Sequence, residues 1–242
     1  MLFRSVAHLR AHAAPRVADL GCGRGSGLRF LRPRVGAGVR WRLVDRDPDL
    51  LEQAARALDP GDAVDLVTAD LRGDDLADLV AGADLVSAAA LIDLVDDAWL
   101  AGLVGAVEAA GAALVVTGSV DGRVQWEPVH PADGDMAAAY ARHQGGDKGF
   151  GTALGTAAPA RLAERLEAVG RRVTLARGDW NRIGDPALQR AYLAGVVDAL
   201  AEHGVDADAL TAWKGFRLDA IETAASRLTV GHVDLFAAPR EA

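Results

Sequence analysis

Short apolar runs and helix-type patterns alternate through the first half of the chain. Runs bounded by turn-forming or acidic residues are typical of buried strands, and they lie at residues 17–21, 41–45, 64–70, 84–87 and 113–117. Between them, apolar residues at helical spacing predict helices at residues 26–31, 48–58 and 97–110. Parallel neighbouring strands need crossover connections, which these helices would supply. The pattern therefore predicts an α/β fold with a mostly parallel sheet and helices on both faces.

The second half is less regular. Residues 120–157 combine glycine, aspartate, histidine and isolated aromatics with weak periodicity, which predicts a loop-rich excursion on the substrate side. Further on, the pattern predicts a helix at 159–169, a strand at 171–176, a helix beginning at Pro186, a helix carrying Leu210, Trp213, Ile221 and Leu228, and a strand at 229–237. We expect a short leader at 1–15 and one domain at 16–242, with the excursion at 120–157 and a helical insertion at 186–228.

Composition narrows the class of protein. Half of the 242 residues are hydrophobic and a quarter are charged, which is typical of a folded globular chain. No apolar run approaches the roughly 20 residues that cross a bilayer, and polar residues interrupt positions 1–15, so we expect a cytoplasmic protein without a membrane partner. The net charge of −8 does not favour capture of nucleic acid.

Metal and disulfide chemistry are not predicted. Cys22 is the only cysteine, which excludes an intramolecular disulfide and a thiolate-cluster metal site. The six histidines show no metal-ligand spacing, so we predict no metal.

Closely spaced glycines follow the first predicted strand, in the run Asp19-Leu20-Gly21-Cys22-Gly23-Arg24-Gly25. Glycines let the backbone turn sharply and approach a ligand closely. Asp45 ends the second strand, where a carboxylate can accept hydrogen bonds from both ribose hydroxyls of a nucleoside. Asp70 ends the third strand and is placed to accept from an adenine amine. The sequence thus predicts a nucleoside-binding crevice lined by three carboxylates.

The position of Asp19 distinguishes two cofactors. A dinucleotide would bring its pyrophosphate beside the glycine loop, where this carboxylate would repel it. S-adenosylmethionine instead brings an ammonium and a sulfonium group, which the carboxylate stabilises. Ser26 also stands where the last glycine of the dinucleotide motif belongs. S-adenosylmethionine is therefore favoured as the cofactor. Two other functions remain as alternatives for the protein: an NAD(P)-dependent oxidoreductase and a non-catalytic S-adenosylmethionine-binding module.

Residues 17 to about 117 resemble class I S-adenosylmethionine-dependent methyltransferases. Four motifs carry the resemblance: Asp19 to Gly25, Leu43-Val44-Asp45, Ala69-Asp70-Leu71 and Asp84-Leu85-Val86-Ser87. It implies a Rossmann-like, seven-stranded, mostly parallel sheet with an antiparallel last strand. It also implies cofactor contacts by Asp19, Gly21, Gly23, Gly25, Asp45, Arg46, Asp70, Leu71 and Ser87. The short leader and the two helices between the last strands depart from the family, so the substrate cover must come from 120–157 or 186–228.

Methyl transfer by direct in-line displacement mainly requires positioning of the acceptor, and a base only where the attacking atom carries a proton. Residues 87–93 lack the Asn/Asp-Pro-Pro-aromatic tetrapeptide with which amino-methylating nucleic-acid enzymes hold a flipped base. With the acidic charge, this favours a small-molecule acceptor.

Residues 143–150 place donors, acceptors, glycines and one of the two lysines in one short stretch. A solvated loop is the alternative interpretation. We predict the catalytic residues His143, Asp147 and Lys148, and the substrate-binding residues Trp126, His130, Tyr140, Gln144 and Phe150. Asp93 is predicted as a helix cap that is also near enough to the fourth strand to approach a substrate. His232 alternates with Val230 and Asp234, so we expect an exposed or hydrogen-bonded sheet position.

Overall fold

The computed structural model describes residues 2–36, 38–56, 58, 63–146 and 149–239. The strands of its sheet are β1 Arg16–Leu20, β2 Arg40–Asp45, β3 Ala63–Thr68, β4 Leu85–Ala89, β5 Ala113–Glu127, β6 Val173–Arg177, β7 Trp180–Ile183 and β8 Arg227–Ala237. Their order is β3-β2-β1-β4-β5-β8-β6, with β7 also paired to β8. The neighbours from β3 to β5 are parallel, whereas β8 is antiparallel to each of its partners. The predicted fold class is confirmed, and β7 is a strand that the pattern did not predict.

Helices connect these strands. They are α1 Leu2–Arg10, α2 Ser26–Val35, α3 Pro48–Ala55, α4 Leu76–Val80, α5 Asp97–Ala110, α6 Asp133–Gln144, α7 Ala158–Ala168, α8 Pro186–Glu202 and α9 Ala207–Glu222. The side chain of Asp47 accepts from the amide of Asp49 at the start of α3, and Asp185 caps α8 in the same way. Within the described part of the chain, no helix has both the length and the apolarity that crossing a membrane requires.

Each face of the sheet has its own hydrophobic core. Leu85 and Val115 belong to the core beneath α1, α2 and α3, whereas Val86 and Leu114 belong to the core beneath α4, α5 and α7. Successive side chains of a strand point to opposite faces, so a central strand buried on both faces needs a continuous apolar run. This requirement explains why the first half of the sheet could be read from the sequence.

A third core lies beyond the main sheet. The paired strands β5 and β8 extend past their neighbours, and α6, α8 and α9 pack on this ribbon through a separate cluster that includes Trp126, Leu193, Trp213 and Leu228. We call this cluster and its elements the helical lobe.

The loop-rich conformation predicted for residues 120–157 is wrong over two stretches. Residues up to Glu127 continue β5, and α6 occupies Asp133–Gln144. Polar residues and register shifts between Val120 and Val124 interrupt the apolar alternation, which hid the strand. The charge of Arg123 is paired across the sheet with Asp179. Leu228, predicted on the last helix, belongs instead to β8.

Candidate functional site

The loop between β1 and α2 turns on three glycines. Gly21, Gly23 and Gly25 have φ values of +64°, +52° and +74°. This is a left-handed backbone conformation that residues other than glycine rarely adopt. A Cβ at Gly25 would also lie 3.1 Å from the Cβ of Ala54. The Cys22 amide donates to the Val44 carbonyl at 3.0 Å and anchors the loop to β2. The loop is therefore held with its backbone open to a ligand.

Asp45, at the end of β2, supports this loop. Its Oδ2 accepts from the Gly23 amide at 2.8 Å, and its Oδ1 accepts from the Asp47 amide at 3.0 Å. Each oxygen of an ionised carboxylate has a second acceptor site. The half-buried Asp45 side chain can thus hold the loop and accept hydroxyl groups of a ligand at the same time.

Asp19 places a buried carboxylate behind the glycine loop. Its residue is only 2% exposed, and its Oδ2 has no hydrogen-bond partner among the described residues. Burial raises the pKa of Asp19 to about 6; a hydrogen bond from Ser87 opposes this shift, and the negative charge of Asp45 adds to it. A Cβ at Gly27, in the first turn of α2, would lie 2.8 Å from Asp19 Oδ2, so this close approach needs glycine.

A pocket of about 210 Å³ opens beside the loop, lined by Gly21, Asp45, Arg46, Ala69, Asp70, Leu71, Arg72, Leu91, Leu94 and Phe150. We call it the cofactor-side pocket. Asp70 lies here as predicted, but its carboxylate also accepts from Nε of Arg72 at 2.8 Å. Hydrogen bonds from Arg72 lower the pKa of Asp70 to about 2, so this acid is ionised. Phe150, predicted as a substrate residue, lies in this pocket with its ring edge-to-face on Trp99 at 6.0 Å.

A second pocket, of about 290 Å³, is lined by Asp93, Leu94, Val120, Tyr140, His143, Gln144, Gly195 and Ala199. We call it the acceptor-side pocket. Its walls come from the turn after β4, from β5, and from α6 and α8 of the helical lobe. The structure brings together three predicted residues here, His143, Tyr140 and Gln144. Leu94 lines both pockets, so the two pockets adjoin.

Two predicted substrate residues lie elsewhere. Trp126 is 6% exposed in the core of the helical lobe, where its ring meets that of Trp213 at 6.4 Å. His130 uses Nδ1 to accept from the Ala132 amide at 3.1 Å, and its ring packs on Phe216. These two residues line neither the cofactor-side nor the acceptor-side pocket. Trp126, near the end of β5, and His130, in the turn before α6, both pack within the lobe.

Of the three predicted catalytic residues, the structure describes only His143. Asp147 and Lys148 lie outside the described residues. His143 lines the acceptor-side pocket, with its Nδ1 4.0 Å from a carboxylate oxygen of Glu202. In the chain as described, no three His, Cys, Asp or Glu side chains are grouped to hold a metal ion.

The sequence interpretation missed His232. Its amide donates to Asp179 Oδ1 at 3.2 Å, so the expected hydrogen-bonded sheet position is confirmed for the backbone. The residue is only 5% exposed, and its side-chain Nδ1 is buried without a partner among the residues that the structure describes. A β-type alternation shows which residues share a face, but it does not show that a bulged ribbon turns this face toward a pocket.

A parallel sheet whose glycine loop and strand-end acids meet at one pocket is the arrangement of nucleoside-binding α/β proteins. Solved structures narrow this class further. The chain is similar to a cyclopropane-fatty-acyl-phospholipid synthase-like protein from Lactobacillus casei, with 17% identity, a TM-score of 0.53, and coverage of 97% of this chain and 91% of that one. It is also similar to a SAM dependent methyltransferase from Archaeoglobus fulgidus, with 15% identity, a TM-score of 0.52, and coverage of 98% and 90%.

A third similar structure is a geranyl diphosphate methyltransferase in complex with S-adenosylmethionine, with 13% identity, a TM-score of 0.51, and coverage of 99% of this chain and 84% of that one. No protein-family model and no curated protein sequence matches the chain. The likeness shows the fold: this chain has a Rossmann-like fold that it shares with these solved structures, so the fold implied by its motifs is confirmed.

Proposed function

We propose that this chain is an S-adenosylmethionine-dependent methyltransferase that acts on a small-molecule acceptor, with residues 16–242 as its methyltransferase domain. The observation that supports this most directly is the Asp19 carboxylate, buried behind the glycine loop with Oδ2 unpartnered among the described residues. Burying a charge without a partner is costly, and a cationic ligand removes that cost. Pyrophosphate at the same loop would increase it.

The residues around the cofactor-side pocket fit such a ligand. Asp45 has free acceptor sites for the two ribose hydroxyls, and the glycine loop allows close approach of the ligand to its backbone. Leu71 and Phe150 offer apolar contacts for the adenine ring, beside the carboxylate of Asp70. When bound, S-adenosylmethionine supplies an electrophilic methyl group on its sulfonium. The protein then has to hold an acceptor in line with that methyl group.

The acceptor-side pocket supports a small-molecule acceptor. Its volume of about 290 Å³ lies just below the range of roughly 300 to 1,000 Å³ for ligand pockets, which suits a small acceptor. It adjoins the cofactor-side pocket at Leu94, and the helical lobe covers it with Tyr140 and Gln144. One similar structure is a methyltransferase named for geranyl diphosphate, which agrees with an acceptor of this size class.

Replacing Asp45 by alanine tests the proposed cofactor site. Asp45→Ala removes the acceptor of the ribose hydroxyls, so the free energy of binding S-adenosylhomocysteine should weaken by roughly 1 to 3 kcal/mol in isothermal titration calorimetry. The matched control is Asp47→Ala, which removes the neighbouring exposed carboxylate and its helix cap but no ligand contact. Unchanged affinity in Asp45→Ala would contradict the assignment. A wild-type protein that binds NADH or NADPH but not S-adenosylhomocysteine would establish the oxidoreductase alternative.

Turnover separates an enzyme from a binding module. Incubation of the wild-type protein with trideuteromethyl-labelled S-adenosylmethionine and a metabolite extract should give a labelled small molecule, identified by mass spectrometry. Binding of S-adenosylhomocysteine without any labelled product would favour the non-catalytic alternative.

A further inference from the structure

Asp93 and His232 lie near the acceptor-side pocket, and each has a buried polar atom. Neither residue lines the cofactor-side pocket. Asp93 lies in the turn Ile92–Leu94 after β4 and lines this pocket. His232 pairs directly with Val120 across the antiparallel β5–β8 ribbon. Directly opposite residues of an antiparallel pair share one face, and Val120 lines the pocket, so His232 lies on the pocket face.

The unpaired buried atoms of Asp93 and His232 indicate that a ligand binds here. Asp93 Oδ1 and His232 Nδ1 are both buried, and neither has a hydrogen-bond partner in the described ranges of the chain. Buried polar atoms are normally paired, since an unpaired one costs free energy. A hydroxyl group bound here would supply the missing partner for such an atom.

The electrostatics link three groups of the pocket. Burial raises the pKa of Asp93, and the nearby His232 acts in the opposite direction. Burial also raises the pKa of Tyr140, and the negative charge of Asp93 raises it further. Asp93 is therefore close enough to interact with both His232 and Tyr140, and the Tyr140 hydroxyl is tied to Gln144 by a hydrogen bond.

If the chain transfers methyl groups as proposed above, we propose that its acceptor is a small hydroxylated molecule, that Asp93 is the general base that removes the hydroxyl proton, and that His232 is a positioning residue for Asp93. The O–H bond of the acceptor breaks and its proton moves to the Asp93 carboxylate. The oxygen uses its electron pair to form the new O–CH₃ bond, while the C–S bond breaks and leaves its electrons on sulfur. The products are a methyl ether, S-adenosylhomocysteine and a protonated Asp93, which returns its proton to water.

The chemistry of the pocket favours a hydroxyl over other acceptors. A carboxylate or thiolate needs no base, and the Asp93 carboxylate would repel it. A protonated amine would form an ion pair with Asp93 and keep its electron pair in an N–H bond. A hydroxyl group is neutral, donates to the carboxylate of Asp93 and retains a lone pair for attack.

Phenol and thiophenol serve as matched probes for this inference. Thiophenol ionises near neutral pH without help, whereas phenol needs a base. With labelled S-adenosylmethionine, the wild-type protein should methylate phenol on oxygen. Asp93→Asn should lower kcat/KM for phenol by roughly 100- to 10,000-fold, the range for loss of a general base. The value for thiophenol should stay the same or rise, because its thiolate needs no base and no longer meets a repelling carboxylate. His232→Gln should act in the same direction with a smaller effect, because it acts through Asp93.

Controls separate this inference from the proposed function. Asp198→Asn makes the same change at an exposed position of α8 and should leave both reactions unaltered. Asp93→Asn should bind S-adenosylhomocysteine like the wild type, which also shows that the variant folds. Equal losses for phenol and thiophenol in Asp93→Asn would overturn the role of Asp93 as a base.

Other results would contradict the proposed class of acceptor. A wild-type protein that binds S-adenosylhomocysteine but methylates none of phenol, catechol, benzyl alcohol and glycolate would overturn the inference while leaving the cofactor assignment intact. Preferred methylation of aniline on nitrogen would overturn it as well. Failure of the wild type to bind S-adenosylhomocysteine at all would instead overturn the proposed function.

Discussion

Asp19 is a residue whose charge works against the stability of the ligand-free protein. Burial raises the pKa of its carboxyl group to about 6, from an ordinary value of 3.8. Between these two values the folded state binds more protons than the unfolded state, so the free energy of unfolding falls as the pH rises through this window. At one pKa unit per 1.36 kcal/mol, the charged form costs about 3 kcal/mol above pH 6. Such a cost is characteristic of sites where function and stability conflict.

Asp19→Asn should therefore stabilise the ligand-free protein above pH 6. Asparagine has nearly the same shape but no charge, so the variant should exceed the wild type by roughly 1 to 3 kcal/mol in the free energy of unfolding at pH 7.5. At about pH 3 the advantage should nearly vanish, because Asp19 is then largely protonated in both states. Urea denaturation at the two pH values measures this difference. The same variant should bind S-adenosylhomocysteine more weakly, and equal stability at pH 7.5 would contradict the raised pKa.

Single residues also show where sequence reasoning ends. Asp70 lies just after β3, which ends at Thr68, and its carboxylate lines the cofactor-side pocket. Its ion pair with Arg72 depends on the conformation of the turn that follows. Trp126 is an isolated aromatic in a polar stretch, which suits a substrate contact as well as a core anchor. Its burial depends on Trp213, which belongs to the distant helix α9 and packs against it.

Among the elements, the glycine loop is defined by backbone conformation. Gly23 and Gly25 share a left-handed conformation, but their surroundings differ. At Gly25 a Cβ would meet Ala54 at 3.1 Å, whereas at Gly23 no atom of the described residues lies within 4 Å of that position. A comparison of alanine substitutions at the two glycines therefore separates the cost of conformational strain from the cost of steric crowding.

Gly25→Ala should destabilise the ligand-free protein more than Gly23→Ala. The left-handed conformation costs a residue with a Cβ roughly 1 to 2 kcal/mol, and both variants should show this loss. Gly25→Ala should add the cost of displacing α3 at Ala54. Urea denaturation of both variants side by side measures the comparison. Equal losses in the two variants would show that α3 moves aside freely.

The β5–β8 ribbon shows why the second part of β5 escaped prediction. Local patterns specify a strand when apolar residues alternate or run continuously. Here the polar residues near Asp121 and two register shifts break the alternation, while pairing with β8 supplies the hydrogen bonds that hold the strand. The pairing partner lies about a hundred residues further along the chain, so no local window contains the signal.

On the scale of the whole molecule, the main sheet carries the cofactor-side pocket and the helical lobe covers the acceptor-side pocket. Arg217 holds the lobe together: it is fully buried and forms an ion pair with Asp133. Its guanidinium carbon lies 5.3 Å from the ring centre of Trp126, and Asp133 also accepts from the Trp213 indole at 2.8 Å. This network joins α6, which supplies Tyr140 to the pocket, to α9.

Asp133→Ala should loosen the lobe and spare the cofactor site. Removing one partner of a buried ion pair leaves the other charge uncompensated and costs roughly 3 to 5 kcal/mol. Hydrogen exchange should accelerate in α6 and α9 but not in α2 and α3, and the labelled product should decrease while affinity for S-adenosylhomocysteine changes less than about threefold. Asp135→Ala, an exposed change on the same helix, is the matched control. Faster exchange throughout α2 and α3 would show that the two parts do not open separately.

The sequence by itself determined the parallel half of the sheet, the glycine loop and the acids at the strand ends. These features depend on short-range properties: continuous apolar runs make strands that are buried on both faces, and the carboxyl ends of parallel strands meet at one edge. A residue at a strand end, such as Asp45, can thus be assigned to the crevice by its position along the chain.

Only the tertiary structure decided how the acceptor-side pocket is built. Asp93 and His232 lie far apart in the chain, and they come close enough to interact because β8 inserts next to β5 in a bulged register. Burial, unpaired polar atoms and shifted pKa values depend on every segment packed around a group. Two histidines of one chain can therefore lie in a helix beside a pocket, as His143 does, or inside a ribbon, as His232 does.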